Sequence, residues 1–200
     1  IVSLIKHEEE GHPEIREAPR ATRIALVGKP NTGKSSVANC MLGSERMIVS
    51  DIPGTTRDSV DSGIIFEGRQ LVLIDTAGLR KKGKIYEKVE EYSVSSAVRS
   101  IERADVVNLI IDAAEGPGHQ EGSIAHLIIS RGKGLCVVIN KWDLVEKQFS
   151  QEKYREMVYE RIPHASFAPV IFSSAKLATG IDDILKTDLA IYEELTKRIP

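Results

Sequence analysis

Short apolar runs alternate with polar segments of helical spacing along most of this 200-residue chain. Runs of β-branched and aliphatic residues bounded by Gly, Asn or Asp read as strands. They fall at Ile24 to Val27, Val60 to Phe66, Leu71 to Asp75, Val106 to Asp112, Leu135 to Asn140 and Val170 to Phe172. Apolar positions recurring about every 3.6 residues predict helices over Lys34 to Leu42, Tyr86 to Arg103, Glu121 to Arg131, Gln151 to Arg161 and Ile181 to Thr196. Alternation of this kind predicts an α/β fold, a mostly parallel sheet covered by helices on both faces. Only Glu67-Gly68-Arg69-Gln70 joins the second and third strands, too little for a crossover helix. These two strands must form a hairpin, so one of the six runs antiparallel. Residues 1–20 break the pattern. Glu8-Glu9-Glu10, Gly11, Pro13 and Pro19 predict an acidic, largely disordered linker ahead of one domain over residues 21–198. A first residue of Ile rather than Met points to a piece of a longer protein.

Composition narrows the classes. A hydrophobic content of 42% suits one α/β domain with a substantial core. A formal charge of −2 gives no global field for nucleic acid or anionic membrane, so any such contact must come from a local patch. Apolar runs such as Val106 to Ile111 are far shorter than the ~20 residues of a membrane helix, and no secretory leader is visible. A cytoplasmic monomer is expected, with Cys40 and Cys136 as buried free thiols. His119 and His126 are seven apart and His7, His12 and His164 isolated, which reads as surface or loop histidines rather than ligands. Tyr86, Val89, Tyr92, Val94 and Val98 read as a core face.

Ligands of open α/β sheets bind beyond the carboxyl ends of the strands, and four strand ends here carry polar clusters. Gly28-Lys29-Pro30-Asn31-Thr32-Gly33-Lys34-Ser35 lies between the first strand and a helix, the context that G-x-x-x-x-G-K-[ST] requires. Its glycines let backbone N–H groups wrap a phosphate, and the helix N-terminus adds about half a positive charge. Lys34 is placed to reach the β- and γ-phosphates, and Ser35, followed by Ser36, to ligate magnesium. In Asp75-Thr76-Ala77-Gly78 the carboxylate either orients magnesium through a water or caps the next turn, and the Gly78 N–H can meet a γ-phosphate oxygen. In Asn140-Lys141-Trp142-Asp143 an ionised Asp143 can accept from the N1–H and 2-amino group of guanine. Against adenine the same carboxylate stays unpaired, which sites of this kind punish heavily. Asn140 and Lys141 are expected to tie the base loop to the phosphate loop and cover the purine, with Trp142 as packing. In Ser173-Ser174-Ala175-Lys176 the Ala175 N–H suits guanine O6, and the Lys176 stem can stack over the base. The aperiodic run Asp51 to Asp58 has the length of a switching loop, and its Thr56 could complete the magnesium shell only when a γ-phosphate is present.

With GKPNTGKS, the loop threonine, DTAG, NKWD and SAK in order, the chain resembles the translation-factor-class P-loop GTPases. PGTTRD and DTAGLRKKGK are similar to the TrmE-Era-EngA-Septin-like branch, and within it to the second GTPase domain of the EngA (Der) family of bacterial ribosome-assembly factors. That resemblance implies a three-layer, Ras-like G domain that binds GTP and GDP with magnesium. It also implies work in large-subunit ribosome biogenesis and a partner GTPase domain and KH-like domain elsewhere in the protein, the latter beginning near Ile199-Pro200. One departure from the Ras pattern stands out: Leu79 follows Gly78 where Ras-like enzymes use glutamine to orient water. In the resembled branch potassium occupies the arginine-finger position, held partly by a phosphate-loop asparagine, and Asn31 stands there. Asn31 is equally a common turn residue. The resemblance also makes Arg80, Lys81, Lys82 and Lys84 a docking strip for ribosomal RNA or a neighbouring domain; a solvated loop is the alternative. Two other functions remain open: a GTP-gated RNA-binding module with negligible turnover, and a P-loop kinase, which the guanine-type Asp143 disfavours.

Overall fold

The computed structural model describes residues 20–43, 48–49, 61–76 and 94–197. Its strands are β1 (Thr22–Val27), β2 (Ile48–Val49), β3 (Ser62–Phe66), β4 (Arg69–Leu73), β5 (Val106–Asp112), β6 (Gly134–Asn140) and β7 (Val170–Phe172). Its helices are α1 (Lys34–Gly43), α2 (Val94–Arg103), α3 (His119–Ser130), α4 (Gln151–Arg161) and α5 (Ile181–Thr196). They form one sheet in the order β2-β3-β4-β1-β5-β6-β7. Only β3 runs against the rest, pairing antiparallel with both β2 and β4. The six expected strands are all present, and two-residue β2 extends the sheet by a seventh too short to leave a periodic signal. The hairpin is also tighter than expected. Its loop is Glu67-Gly68 at φ 48° and 75°, two left-handed residues as a type I′ turn requires, so Arg69 and Gln70 join β4. Residues 77–93, which include the first part of the predicted Tyr86 to Arg103 helix, lie outside the described residues, as do residues 1–19; the rest of that helix is α2.

β5 and β6 are buried at every position, as strands covered on both faces should be. Period-2 alternation sorts their side chains. Val107, Leu109, Ile111, Leu135, Val137 and Ile139 join the core beneath α3 and α4, while Ile110, Cys136 and Val138 join the core beneath α1 and α5. The second core holds one polar pair: Asn108 on β5 donates its Nδ2–H to Asp188 Oδ2 on α5 at 2.9 Å, and both residues are fully buried. Burial pushes the Asp188 carboxyl up from 3.8 to about 8, against the smaller opposing effect of the Asn108 bond. Burial, helped by Asp188, also raises the neighbouring Cys136 thiol. Cys40 is only half-buried and its thiol donates to the Ala175 carbonyl at 3.2 Å. Among the described residues no helix is long and apolar enough to cross a membrane.

Between pH about 4 and 8 the folded chain keeps the Asp188 proton that the unfolded chain releases, so stability falls as pH rises through that window. Urea unfolding at pH 5 and pH 8 should show the wild-type chain losing more stability than Asp188→Asn, whose side chain cannot ionise. Equal losses would show that Asp188 does not titrate in this range.

Candidate nucleotide site

The phosphate loop sits at the end of β1, between β4 and β5, where strand connections diverge to the two sides of the sheet. Its conformation explains its composition. Gly28 has φ 148° and a methyl there would lie 2.2 Å from the Ile110 carbonyl oxygen; Gly33 has φ 91° and a methyl there would lie 2.2 Å from Asn140 Nδ2. Only glycine fits at either place. Asn31 is exposed at φ 61°, a left-handed position that Asn tolerates, so the turn alone accounts for its presence. Lys34 opens α1 and is buried, its ammonium donating to the Lys29 carbonyl at 2.5 Å. The same carbonyl accepts from Thr32 Oγ1 at 3.0 Å. Ser35 and Ser36 follow in the first turn of α1, where the orphan N–H groups of the helix also point at the loop.

The base-loop cluster is built around Asn140, which is 1% exposed at the end of β6. Its Nδ2 donates to the Thr32 carbonyl at 2.9 Å, and its Oδ1 accepts from the Ala175 N–H at 3.1 Å and from Ser173 Oγ at 3.5 Å. One amide therefore links the phosphate loop, the base loop and the loop after β7. Lys141 is left-handed at φ 61°, and Trp142 to Leu144 forms a single 3-10 turn beyond it. Trp142 is packing, as expected: its ring meets Phe172 at 4.5 Å and Tyr154 at 5.3 Å between centroids, and its backbone N–H donates to the Ser173 carbonyl. This anchors the turn that presents Asp143. Asp143, with Gly33, Ser36, Asn140, Lys141, Ser174, Ala175 and Lys176, lines a cavity of about 240 Å³. Asp143 Oδ1 is buried and has no hydrogen-bond partner among the described residues.

Two assignments change. Lys141 was expected to tie the base loop to the phosphate loop, but its ammonium pairs with Asp112 Oδ2 at 2.6 Å; the tie is made by Asn140 alone. Asp112 also holds the Ala114 N–H; burial, helped by the Asp112 charge, pushes the Tyr154 hydroxyl up to about 12. The Ala175 N–H, expected to meet guanine O6, donates to Asn140 Oδ1, so a base must share it. Asp75 is left-handed at φ 59°, just past β4; its N–H donates to Asp61 Oδ1 and its Oδ2 accepts from Ser96 Oγ at 3.5 Å. Thr76 shares a 2.7 Å hydroxyl bond with Ser62. Thr56, Ala77, Gly78, Leu79, Arg80, Lys81, Lys82 and Lys84 lie outside the described residues.

The sequence pattern missed two groupings. His119, His126 and His164 line a cleft of about 610 Å³ with Arg161. Among the described residues no cluster of His, Cys, Asp or Glu could hold a metal there or elsewhere. Glu121, 1% exposed on α3, pairs with Lys29 at 2.8 Å.

Fold and loops together define a P-loop GTPase domain. The sequence model of the 50S ribosome-binding GTPase family matches residues 23–141, and the chain belongs to that family. It is 48% identical over 197 residues to GTPase Der of Caldanaerobacter subterraneus subsp. tengcongensis, a match covering 98% of this chain and 44% of that protein. GTPase Der of Herpetosiphon aurantiacus is 39% identical, covering 98% and 43%. The chain thus spans under half the length of these curated relatives. Among solved structures, an Aquifex aeolicus Era variant bound to GDP and AlF4− is 27% identical at a TM-score of 0.61, covering 91% of this chain and 59% of that one. Era in complex with MgGDPNP and a fragment of 16S ribosomal RNA is 28% identical at a TM-score of 0.60, covering 90% and 58%.

Gly33→Ala combines left-handed strain of about 1–3 kcal/mol with a collision against Asn140, so it should lower the melting temperature and abolish GDP binding. Gly68→Ala, at φ 75° with nothing within 4 Å, should cost only about 1 kcal/mol and leave GDP titrations unchanged.

Proposed function

We propose that this chain binds and hydrolyses GTP as the switch domain of a bacterial ribosome-assembly factor acting on the large subunit, and that it is the second of two GTPase domains in that factor. The observation that carries the guanine assignment is the buried Asp143 Oδ1, unpartnered among the described residues, beside a cavity open to the phosphate loop. A buried carboxylate oxygen left without a donor is costly unless a ligand supplies one. Guanine supplies two N–H groups and adenine none at those positions, which favours GTP over the ATP of a P-loop kinase.

The loop Gly28 to Ser35 then takes the phosphates, with Lys34 exchanging the Lys29 carbonyl for phosphate oxygens. Ser35 and Asp75 present hydroxyl and carboxylate oxygens, the hard donors that suit magnesium, and Thr56 would add a third oxygen when the γ-phosphate is present. Bound there, magnesium neutralises charge on the β- and γ-phosphates. Gly78 would donate its N–H to the γ-phosphate, and Leu79 leaves no side chain at that place to orient water. Asn31 is exposed on the loop, where its side-chain carbonyl would give an oxygen to a potassium ion that compensates charge during hydrolysis. Era's complex with MgGDPNP and 16S ribosomal RNA supports both the magnesium and the RNA reading. RNA or ribosome contact is assigned to Arg80, Lys81, Lys82 and Lys84 and to domains outside this chain, with the domain itself a cytoplasmic monomer.

Asp143→Asn should weaken GDP binding at least about 10³-fold and create affinity for xanthosine diphosphate in competition titrations; retained GDP affinity would sink the base assignment. Single-turnover phosphate release should be faster in potassium than in sodium at matched ionic strength. Equal rates would remove Asn31 from catalysis, and no release in either salt would favour a GTP-gated binding module.

A further inference from the structure

We propose that Glu121, which belongs to none of the nucleotide motifs, is a positioning residue that fixes the phosphate loop through Lys29; this rests on the reading of Gly28 to Ser35 as a phosphate-binding loop. Glu121 is almost completely buried in the first turn of α3, a helix held to the sheet by Ile124, Ala125 and Ile128. Both of its oxygens are used. Oε2 accepts the Gly118 N–H at 2.9 Å, closing the start of the helix, and Oε1 pairs with the Lys29 ammonium at 2.8 Å. Gly118 leaves room for this. A methyl there would lie 3.3 Å from Glu121 Oε2 and 3.8 Å from Lys29 Nζ.

Lys29 is the residue around which the loop closes. Its carbonyl receives both the Lys34 ammonium and the Thr32 hydroxyl, so moving the Lys29 backbone moves the acceptor that holds the phosphate-binding lysine in place. A lysine at the second position of a glycine-rich loop would ordinarily be free to swing toward the phosphates as one more cation. Here the carboxylate on α3 takes its ammonium, so Lys29 acts on the ligand through its backbone. Glu121 is the buried member of the pair, so removing Lys29 would leave its charge without compensation. The element that sets the loop is therefore a helix whose other first-turn residues, Gly118, His119 and Gly122, line the histidine cleft.

The test separates this from ordinary helix capping. Glu121→Gln keeps an oxygen for the Gly118 N–H but removes the charge that holds Lys29. In the full chain, competition against fluorescent GDP should show Glu121→Gln weakening GDP about tenfold while guanosine, which lacks phosphates, changes by less than about twofold. Lys29→Met should give the same phosphate-selective loss, and the double variant should be no worse than either single one. Unchanged GDP affinity, equal losses for guanosine and GDP, or additive losses would overturn the proposal. If Glu121→Gln does not fold, Lys29→Met decides by the same criterion, since the Lys29 side chain is 26% exposed and its removal opens no core cavity. A wild-type chain that bound guanosine as tightly as GDP would overturn the phosphate-loop reading itself and this inference with it.

Discussion

The site depends on one buried amide. Asn140 reaches out of the sheet from the end of β6 and satisfies its donor on the phosphate loop and its acceptor on the loop after β7. Buried polar groups must be paired, so three loops that could each wander are held by the same requirement. The tight approach has a geometric consequence for the chain: the residue facing the amide can carry no side chain, and Gly33 is that residue. The lysine-serine pair that follows it then begins α1 with its N–H groups directed at the ligand. The glycine of the motif thus answers to the base loop as much as to the phosphate.

Around that centre the electrostatics are arranged in lysine-carboxylate pairs. Lys29 with Glu121 and Lys141 with Asp112 each set a motif lysine against an acid from a neighbouring element, 2.8 Å and 2.6 Å apart. A phosphate-binding site needs positive charge, yet Lys29 and Lys141 are each paired with an acid, while Lys34 donates to the uncharged Lys29 carbonyl, which a phosphate can replace. The division of labour is physical. Ammonium groups locked to buried acids fix backbone positions.

Most of the architecture was legible because its signals are local. β5, β6, α4 and α5 announce themselves by apolar runs or helical periodicity, and the short link at Glu67-Gly68 forces the antiparallel strand. β2 was not legible, since two residues carry no period. At the site, the glycines, Lys34, Asn140 and Asp143 could be named because their spacing is itself the chemistry. The partners of Lys29, Lys141 and the Ala175 N–H could not. Those pairings join residues 92, 29 and 35 positions apart and are decided by which side chains the sheet order brings face to face. The three histidines gathered by α3 and the turn after α4 illustrate the same limit.

The aromatic packing under the base loop has a practical side. The chain contains one tryptophan, and it is Trp142, buried against Phe172 and Tyr154 and next in sequence to Asp143. Its indole emission therefore originates from a single place, the packing beneath the turn that carries Asp143, with no second fluorophore of its kind to dilute it. The domain carries a built-in optical reporter of whether that packing is formed.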